Sequence, residues 1–325
     1  LLNQSKLNLE RNEYELERLK DDISLNVANL YLNVLFNKEN LDLAKSQVEF
    51  SDFQLQQVKV MVDAGSEPAS TLIEMQATYS RDIQSLTIAE NNHDLALLSL
   101  SQLLQLPYGN FDVEIIQIDT PSANLMYDDI TPILSYAMQN RNEIKVAKRD
   151  VELAKLGTKI SKSAYLPNIS MGYGFNASAN FSNLTNDQQL LDQINDNKGH
   201  SINMNILIPI FNRNQTKAQV KKSKILEETS NLALNQVKID LISTIQRSFT
   251  DAKAALKAFE AAQLSLNSQK LAYENSQERF TLGVLNSFDL EQSRIRLLNA
   301  RSSLINAKYD FIFKTKVLDF YLDKR

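Results

Sequence analysis

The chain has 325 residues, a formal net charge of −4, seven glycines, no cysteine and no tryptophan. The lack of cysteine excludes disulfides, thiol chemistry and cysteine-based metal sites, and the net acidity argues against a nucleic-acid partner. No run of about 18 apolar residues occurs, so the sequence holds no transmembrane helix.

Leu1 to Val62 contains neither glycine nor proline. It reads as one helix of about 90 Å at 1.5 Å per residue. It opens inside a helical pattern without Met or a cap, so the expectation is the middle-to-end of a longer precursor. The break Val62-Asp63-Ala64-Gly65-Ser66-Glu67-Pro68 leads to a return helix from about Ala69 to Leu106, stopped by Pro107-Tyr108-Gly109-Asn110. Phe111 to Thr120 alternates loosely and suits an extended segment, and Pro121-Ser122 marks a linker. Asp128 or Asp129 can cap the next helix, with Thr131-Pro132 in its first turn. Its apolar residues continue to about Ala164, and Pro167 ends it.

The period then changes from helical to two. Ile169, Met171, Tyr173 and Phe175 alternate with Ser170, Gly172, Gly174 and Asn176. After a polar stretch from Asn180 to His200, Ile202, Met204, Ile206 and Ile208 alternate in turn, with Asn203 and Asn205 on the opposite face. Each run is about ten residues, the length of a tilted strand that spans a bilayer. A lone hairpin is not stable by itself, and a sheet edge in lipid leaves backbone groups without partners. If these strands cross a membrane, several chains must close one barrel. From Asn212 a second very long helix runs without glycine or proline to the break at Gly283.

The two breaks are copies. Gly283 and Gly65 lie 218 residues apart (283 minus 65). The same offset maps the stripe Ile245, Ala252, Phe259, Leu266, Tyr273, Phe280 onto Val27, Val34, Leu41, Val48, Leu55, Val62. It also maps Leu290, Leu297, Leu304, Phe311, Leu318 onto Leu72, Tyr79, Leu86, His93, Leu100. One helical hairpin is used twice, and its seven-residue stripe predicts coiled-coil packing. Gly65 and Gly283 are expected to take a left-handed backbone at the hairpin tips. Ser70 and Ser287 are placed to cap the return helices.

Ile208-Pro209-Ile210-Phe211, the turn Arg279-Phe280-Thr281-Leu282-Gly283 followed by Asp289-Leu290, and the duplicated hairpin together resemble the TolC-type outer membrane efflux proteins. Arg141-Asn142-Glu143-Ile144 is similar to that family's Arg-Pro-Glu-Leu segment, with Asn142 in place of proline. The resemblance covers the whole chain. It implies a mainly α fold with a membrane β-hairpin: duplicated long coiled-coil hairpins, plus strands contributing to a trimeric β-barrel. It implies a homotrimer in the outer membrane of a Gram-negative bacterium, with helices extending into the periplasm. The expected partners are outer membrane lipid, a periplasmic adaptor and an inner-membrane pump. Residues 1–127 then form the first repeat, with its helix and β-hairpin missing. Residues 128–325 form the second, with a β-hairpin at 166–211 and a helical hairpin at 212–322.

The functional expectations follow from the same resemblance. Ile169, Met171, Tyr173, Phe175, Ile202, Met204, Ile206 and Ile208 face lipid, and the tips at Gly65 and Gly283 meet the adaptor. Asp289 corresponds to an acidic ring at the pore entrance, with Gln292 where a second acid stands in some members. Without the resemblance, Asp289 is simply an acid favoured by the helix dipole. Leu285 and Thr71 replace a gating arginine and its acidic partner, so a salt-bridge lock at those positions is not expected.

No catalytic set is visible. His93 lies on the helical seam and His200 at the end of a polar loop, without a carboxylate set for a metal. Gly172-Tyr173-Gly174 lacks the rest of a phosphate-binding signature, and Lys217, Lys221, Lys222 and Lys224 read as a solvated helix face. The chain is therefore expected to be a passive, non-enzymatic channel subunit without cofactor or metal. The alternative is a structural or adaptor coiled-coil protein of the periplasm. Adaptors carry their hairpin once and lack the two strands.

Overall fold

The structure is a computed structural model, and it describes residues 2–114, 129–181 and 189–322. Helix α1 runs Leu2–Asp63 and α2 Ala69–Leu103, followed by a 3-10 turn at Tyr108–Asn110. Helices α3 (Thr131–Asn140) and α4 (Asn142–Ser163) lead to strand β1 (Asn168–Asn176). A short helix α5 (Leu190–Asp196) precedes β2 (Gly199–Leu207), and α6 (Gln215–Thr281) and α7 (Ser287–Tyr321) complete the chain. The chain divides into two compact units, Leu1–Asn12 with Val146–Gln236, and Glu13–Lys145 with Val237–Arg325.

In the larger unit, the seven-residue stripes become buried seams. Phe259 of α6 and Phe311 of α7 are buried and stacked, with ring centroids 6.2 Å apart, beside Ala255 and Leu256. Val34 of α1 packs on Ala96, Leu97 and Leu100 of α2. Helix α7 also binds α1, through Ile312 against Leu32 and Leu35. It closes on α3 and α6 through Leu318, Ile133, Ala137 and Ile245. Burying each of the Val, Leu, Ile and Phe side chains among these contributes about 1.5–3 kcal/mol. Toward the tips the stripe is only half-buried, at Leu266, Tyr273 and Phe280. His93, on the seam, is half-buried.

Several local expectations are corrected. The helix expected from 128 or 129 to 164 is broken at Arg141, whose backbone is extended (φ −64, ψ 136). No proline or glycine marks this break; the Arg141 side chain does. It is buried against Asp21 at 3.6 Å, bonded to Glu143 at 3.2 Å, and stacked over the Phe320 ring at 4.2 Å. Asn142 then uses its amide to donate to Asp21 at 3.0 Å, so this departure from the family's proline gains a tertiary bond. Asp129 accepts from the Thr131 backbone at 3.1 Å and from its hydroxyl at 2.9 Å; Asp128 lies outside the described residues.

Helix α2 ends at Leu103 rather than Leu106, because Gln105 turns left-handed (φ 56) and Leu106 bonds back to Ser101. The stretch at 111–114 is not a strand, and 115–120 lie outside the described residues. Neither serine caps its return helix. Asn286 caps α7, and α2 begins after Pro68 without a side-chain cap.

Candidate functional site

In the smaller unit β1 and β2 pair antiparallel, with Ile169 opposite Ile206, Met171 opposite Met204 and Tyr173 opposite Ile202. Ser170 pairs with Asn205 and Gly172 with Asn203. Because alternate side chains point to opposite faces, this register collects the apolar residues on one face and the small or amide residues on the other. All seven residues of the apolar face from Ile169 to Phe175 and Ile202 to Ile206 are exposed, with Met171 at 75%. Ile208 is exposed but lies outside β2, which ends at Leu207, one residue before the approach to Pro209.

Sequence reasoning missed the role of His200. It lies in β2 opposite Phe175, and its Nδ1 is 2.7 Å from the Tyr173 hydroxyl. Its ring contacts that of Phe175 at 5.0 Å, so an aromatic cluster ends the apolar face. His200 stands two residues before Ile202, in phase with the apolar run, and that phase was the available signal.

The two hairpin tips share one geometry. Gly65 and Gly283 have φ values of +75 and +73. At the first tip Gly65 N donates to Val62 O at 2.9 Å and Ser66 N to Met61 O at 2.9 Å. At the second, Gly283 N donates to Phe280 O at 2.9 Å and Val284 N to Arg279 O at 2.9 Å. This pair of crossed bonds is the Schellman helix ending, which satisfies the last carbonyls and needs a left-handed residue. An added Cβ would meet nothing within 4 Å at either glycine, so backbone conformation alone demands glycine. Around the second tip Leu282, Val284 and Phe288 are exposed.

Asp289 sits in the first turn of α7 and is exposed. Its backbone N–H donates to Asn286 Oδ1 at 2.8 Å, and its carboxylate accepts from Asn286 Nδ2 at 3.0 Å. The first bond is the N-cap half of a capping box; the return bond goes to the Asn286 side-chain amide, where a capping box would use the backbone N–H. Gln292, one turn on, is half-buried and shares a groove with Thr71, Met75 and Thr78 of α2. Asp289 therefore has a structural task whatever else it does.

The most buried charges lie deeper. Arg294 of α7 reaches Asp82 of α2 at 3.3 Å and Glu291 at 2.8 Å. Asp82 also accepts from Gln47 of α1 at 2.8 Å, so one network ties three helices. Burial alone would lower the Arg294 pKa; the hydrogen bonds and charges of Glu291 and Asp82 outweigh it and hold the group above its ordinary value. Among the described residues no group of three or more His, Asp or Glu is placed to hold a metal, and no helix is long and apolar enough to cross a membrane.

Several known proteins are similar to this chain in sequence or in fold. The chain is 21% identical over 290 residues to the outer membrane protein TolC of Vibrio cholerae, covering 89% of this chain and 64% of that one. It is 19% identical over 300 residues to the alkaline protease secretion protein AprF of Pseudomonas aeruginosa, covering 92% and 61%. It thus spans under two thirds of the length of these relatives. The fold is similar to that of CusC (TM-score 0.83, 17% identity, covering 98% of this chain and 72% of that one). It is also similar to the Campylobacter jejuni CmeC outer membrane channel (TM-score 0.74, 19% identity, covering 98% and 66%). The family model described as outer membrane efflux protein matches residues 133–315, more than half of the chain, and with it the strand hairpin and most of the second helical hairpin, so the chain belongs to the outer membrane efflux protein family.

Proposed function

We propose that this chain is a subunit of a passive exit duct in the outer membrane of a Gram-negative bacterium. The duct receives its cargo from an inner-membrane pump through a periplasmic adaptor. The observation that carries this reading is the strand hairpin, whose paired apolar residues from Ile169 to Phe175 and Ile202 to Ile206 stand exposed on one face. An apolar face of that extent is stable only against lipid or another protein. The two strands pair only with each other among the described residues, so each has one open edge. Open edges are not tolerated in hydrocarbon. Hairpins from several protomers must therefore close a barrel, and a homotrimer is the assembly that the family resemblance supports.

In this reading the helical hairpins form the periplasmic part. The tips at Gly65 and Gly283, with the apolar residues beside them, contact the adaptor. Three copies of Asp289, with Gln292 behind them, ring the periplasmic mouth. The transport step needs no catalytic residue or cofactor. Relatives named for alkaline protease secretion and for pyoverdine export differ in cargo. Cargo choice accordingly lies with the pump, and the duct contributes a polar path. Planar-bilayer recording of the full-length protein tests the reading. Stepwise ionic conductance is expected, and a bilayer that stays silent with inserted, assembled protein contradicts it.

A further inference from the structure

One level of the larger unit breaks the internal repeat. The 218-residue offset equates Tyr273, Arg294 and Arg301 with Leu55, Gln76 and Ile83, so the second copy carries a hydroxyl and two guanidinium groups where the first has two aliphatics and an amide. All three line a single half-open cavity of about 180 Å³ between α1, α6 and α7, together with Ser46, Gln47 and the apolar Leu43, Phe50, Leu297 and Leu298; Arg301 is exposed at its rim. That is several times the volume of a water molecule in the liquid, about 30 Å³.

The donors at this cavity are unequally used. Arg294 commits its N–H groups to Asp82 and Glu291. The Tyr273 hydroxyl is buried and bonds to no group among the described residues. Burial, opposed in part by the charges of Arg294 and Arg301, raises its pKa, so it remains an O–H donor at neutral pH. Arg301 enters no ion pair or hydrogen bond among the described residues. A buried donor without an acceptor costs about 1–3 kcal/mol, and a guanidinium is a natural anion ligand.

We propose that this cavity is a binding site for a small inorganic anion, held by the Tyr273 hydroxyl and the Arg301 guanidinium. A halide and a tetrahedral oxyanion share the chemistry that these donors recognise. Binding to the folded state alone stabilises it in a saturable way, which distinguishes a site from general salt screening. The site lies within one unit and stands independently of the transport reading.

The test is the melting temperature of the assembled full-length protein at constant ionic strength. Sodium gluconate serves as the reference salt and is replaced stepwise by chloride, bromide, sulfate or phosphate. The expected result is a saturable rise with at least one of these, and the arm that responds separates halide from oxyanion. Arg301→Gln and Tyr273→Phe should abolish the rise; in gluconate Arg301→Gln should change the melting temperature little, and Tyr273→Phe, which removes a buried donor, should raise it. A bromide-soaked crystal should show anomalous density within hydrogen-bonding distance of Tyr273 Oη if the halide arm responds. Identical melting temperatures in all anions overturn the proposal. So does a rise that survives both substitutions.

Discussion

Arg294 of α7 and Asp82 of α2 lie 212 positions apart and form an ion pair at 3.3 Å, with the two residues only 5% and 3% exposed. A buried pair is costly to break, because the survivor keeps its charge without its partner. Asp82→Ala is expected to destabilise the larger unit by about 3–5 kcal/mol. Replacing both residues by Leu and Met should cost less than the sum of the two single changes, since Asp82 and Arg294 leave the interior together and only the part-exposed Glu291 loses a partner. Denaturation of the four proteins in a double-mutant cycle checks this. Additive losses would mean that the pair does not couple the helices.

Phe259 and Phe311 make the packing counterpart of that polar link. Phe259 is 7% exposed, so Phe259→Ala should cost about 3–5 kcal/mol through lost burial and the cavity left behind. The equivalent Leu41→Ala in the first hairpin should cost about 2–5 kcal/mol. A loss below about 0.5 kcal/mol at either site, the range of surface positions, would contradict the shared seam.

Much of this was legible in the sequence, and the limits are instructive. The repeat offset, the seam and the tip glycines are local or periodic signals, and they correspond to buried stripes and left-handed turns. The alternation of Ile169 to Phe175 likewise gave the strand faces, because side-chain direction follows from a period of two. What sequence reasoning lacked was tertiary. Arg141 breaks a helix through contacts with Asp21 and Phe320, neither of which is near in sequence. Asp82 and Arg294 occupy positions where the other copy has Ala300 and Gln76, so no periodicity announces the pair. Asn286 displaced Ser287 as the cap because the turn places its side chain, and not the serine, within reach of the Asp289 N–H.

Alkaline stability should report the buried tyrosines. Burial, reinforced by Glu39, raises the Tyr309 phenol well above its ordinary value of 10.0, and burial likewise raises Tyr321 and Tyr273. The folded state holds these protons more tightly than the unfolded chain. Their contribution is therefore fully present below about pH 10, the ordinary phenol value, and is lost as pH rises toward the folded values. Tyr309→Phe should flatten the fall in stability above pH 10, as measured by denaturation at fixed salt. An unchanged slope would show that Tyr309 ionises as freely folded as unfolded.

At the second tip, Gly283→Ala meets no steric neighbour and should cost about 1–2 kcal/mol for the left-handed backbone alone. Gly283→Val adds the strain of a β-branched side chain. It is expected to impair efflux while trimers still insert, as judged by substrate accumulation alongside native gel migration. Normal efflux by an inserted Val variant would count against the tip as the adaptor contact.

Asp289 carries the prediction for the entrance. Carboxylates gathered in a narrow ring focus a negative potential that attracts cations, and salt screens it. Asp289→Asn keeps the side-chain shape, and its amide can still serve the Asn286 cap, so any change reports charge. Reversal potentials under a salt gradient should show weaker cation preference in the Asn protein. An identical preference would leave Asp289 as the capping partner of Asn286 and nothing more.

The most direct test of the central claim lies at two adjacent residues of β2, Ile206 and Asn205, which face opposite sides of the strand hairpin. Spin labels at each, in the full-length protein reconstituted in lipid, are read by their collisions with oxygen and with a water-soluble nickel complex. The account predicts that the label at Ile206 relaxes with oxygen, as a site in hydrocarbon does, and that the label at Asn205 relaxes with the nickel complex, as a site in a water-filled lumen does. Equal access of the nickel complex to both labels would contradict a membrane-spanning barrel strand.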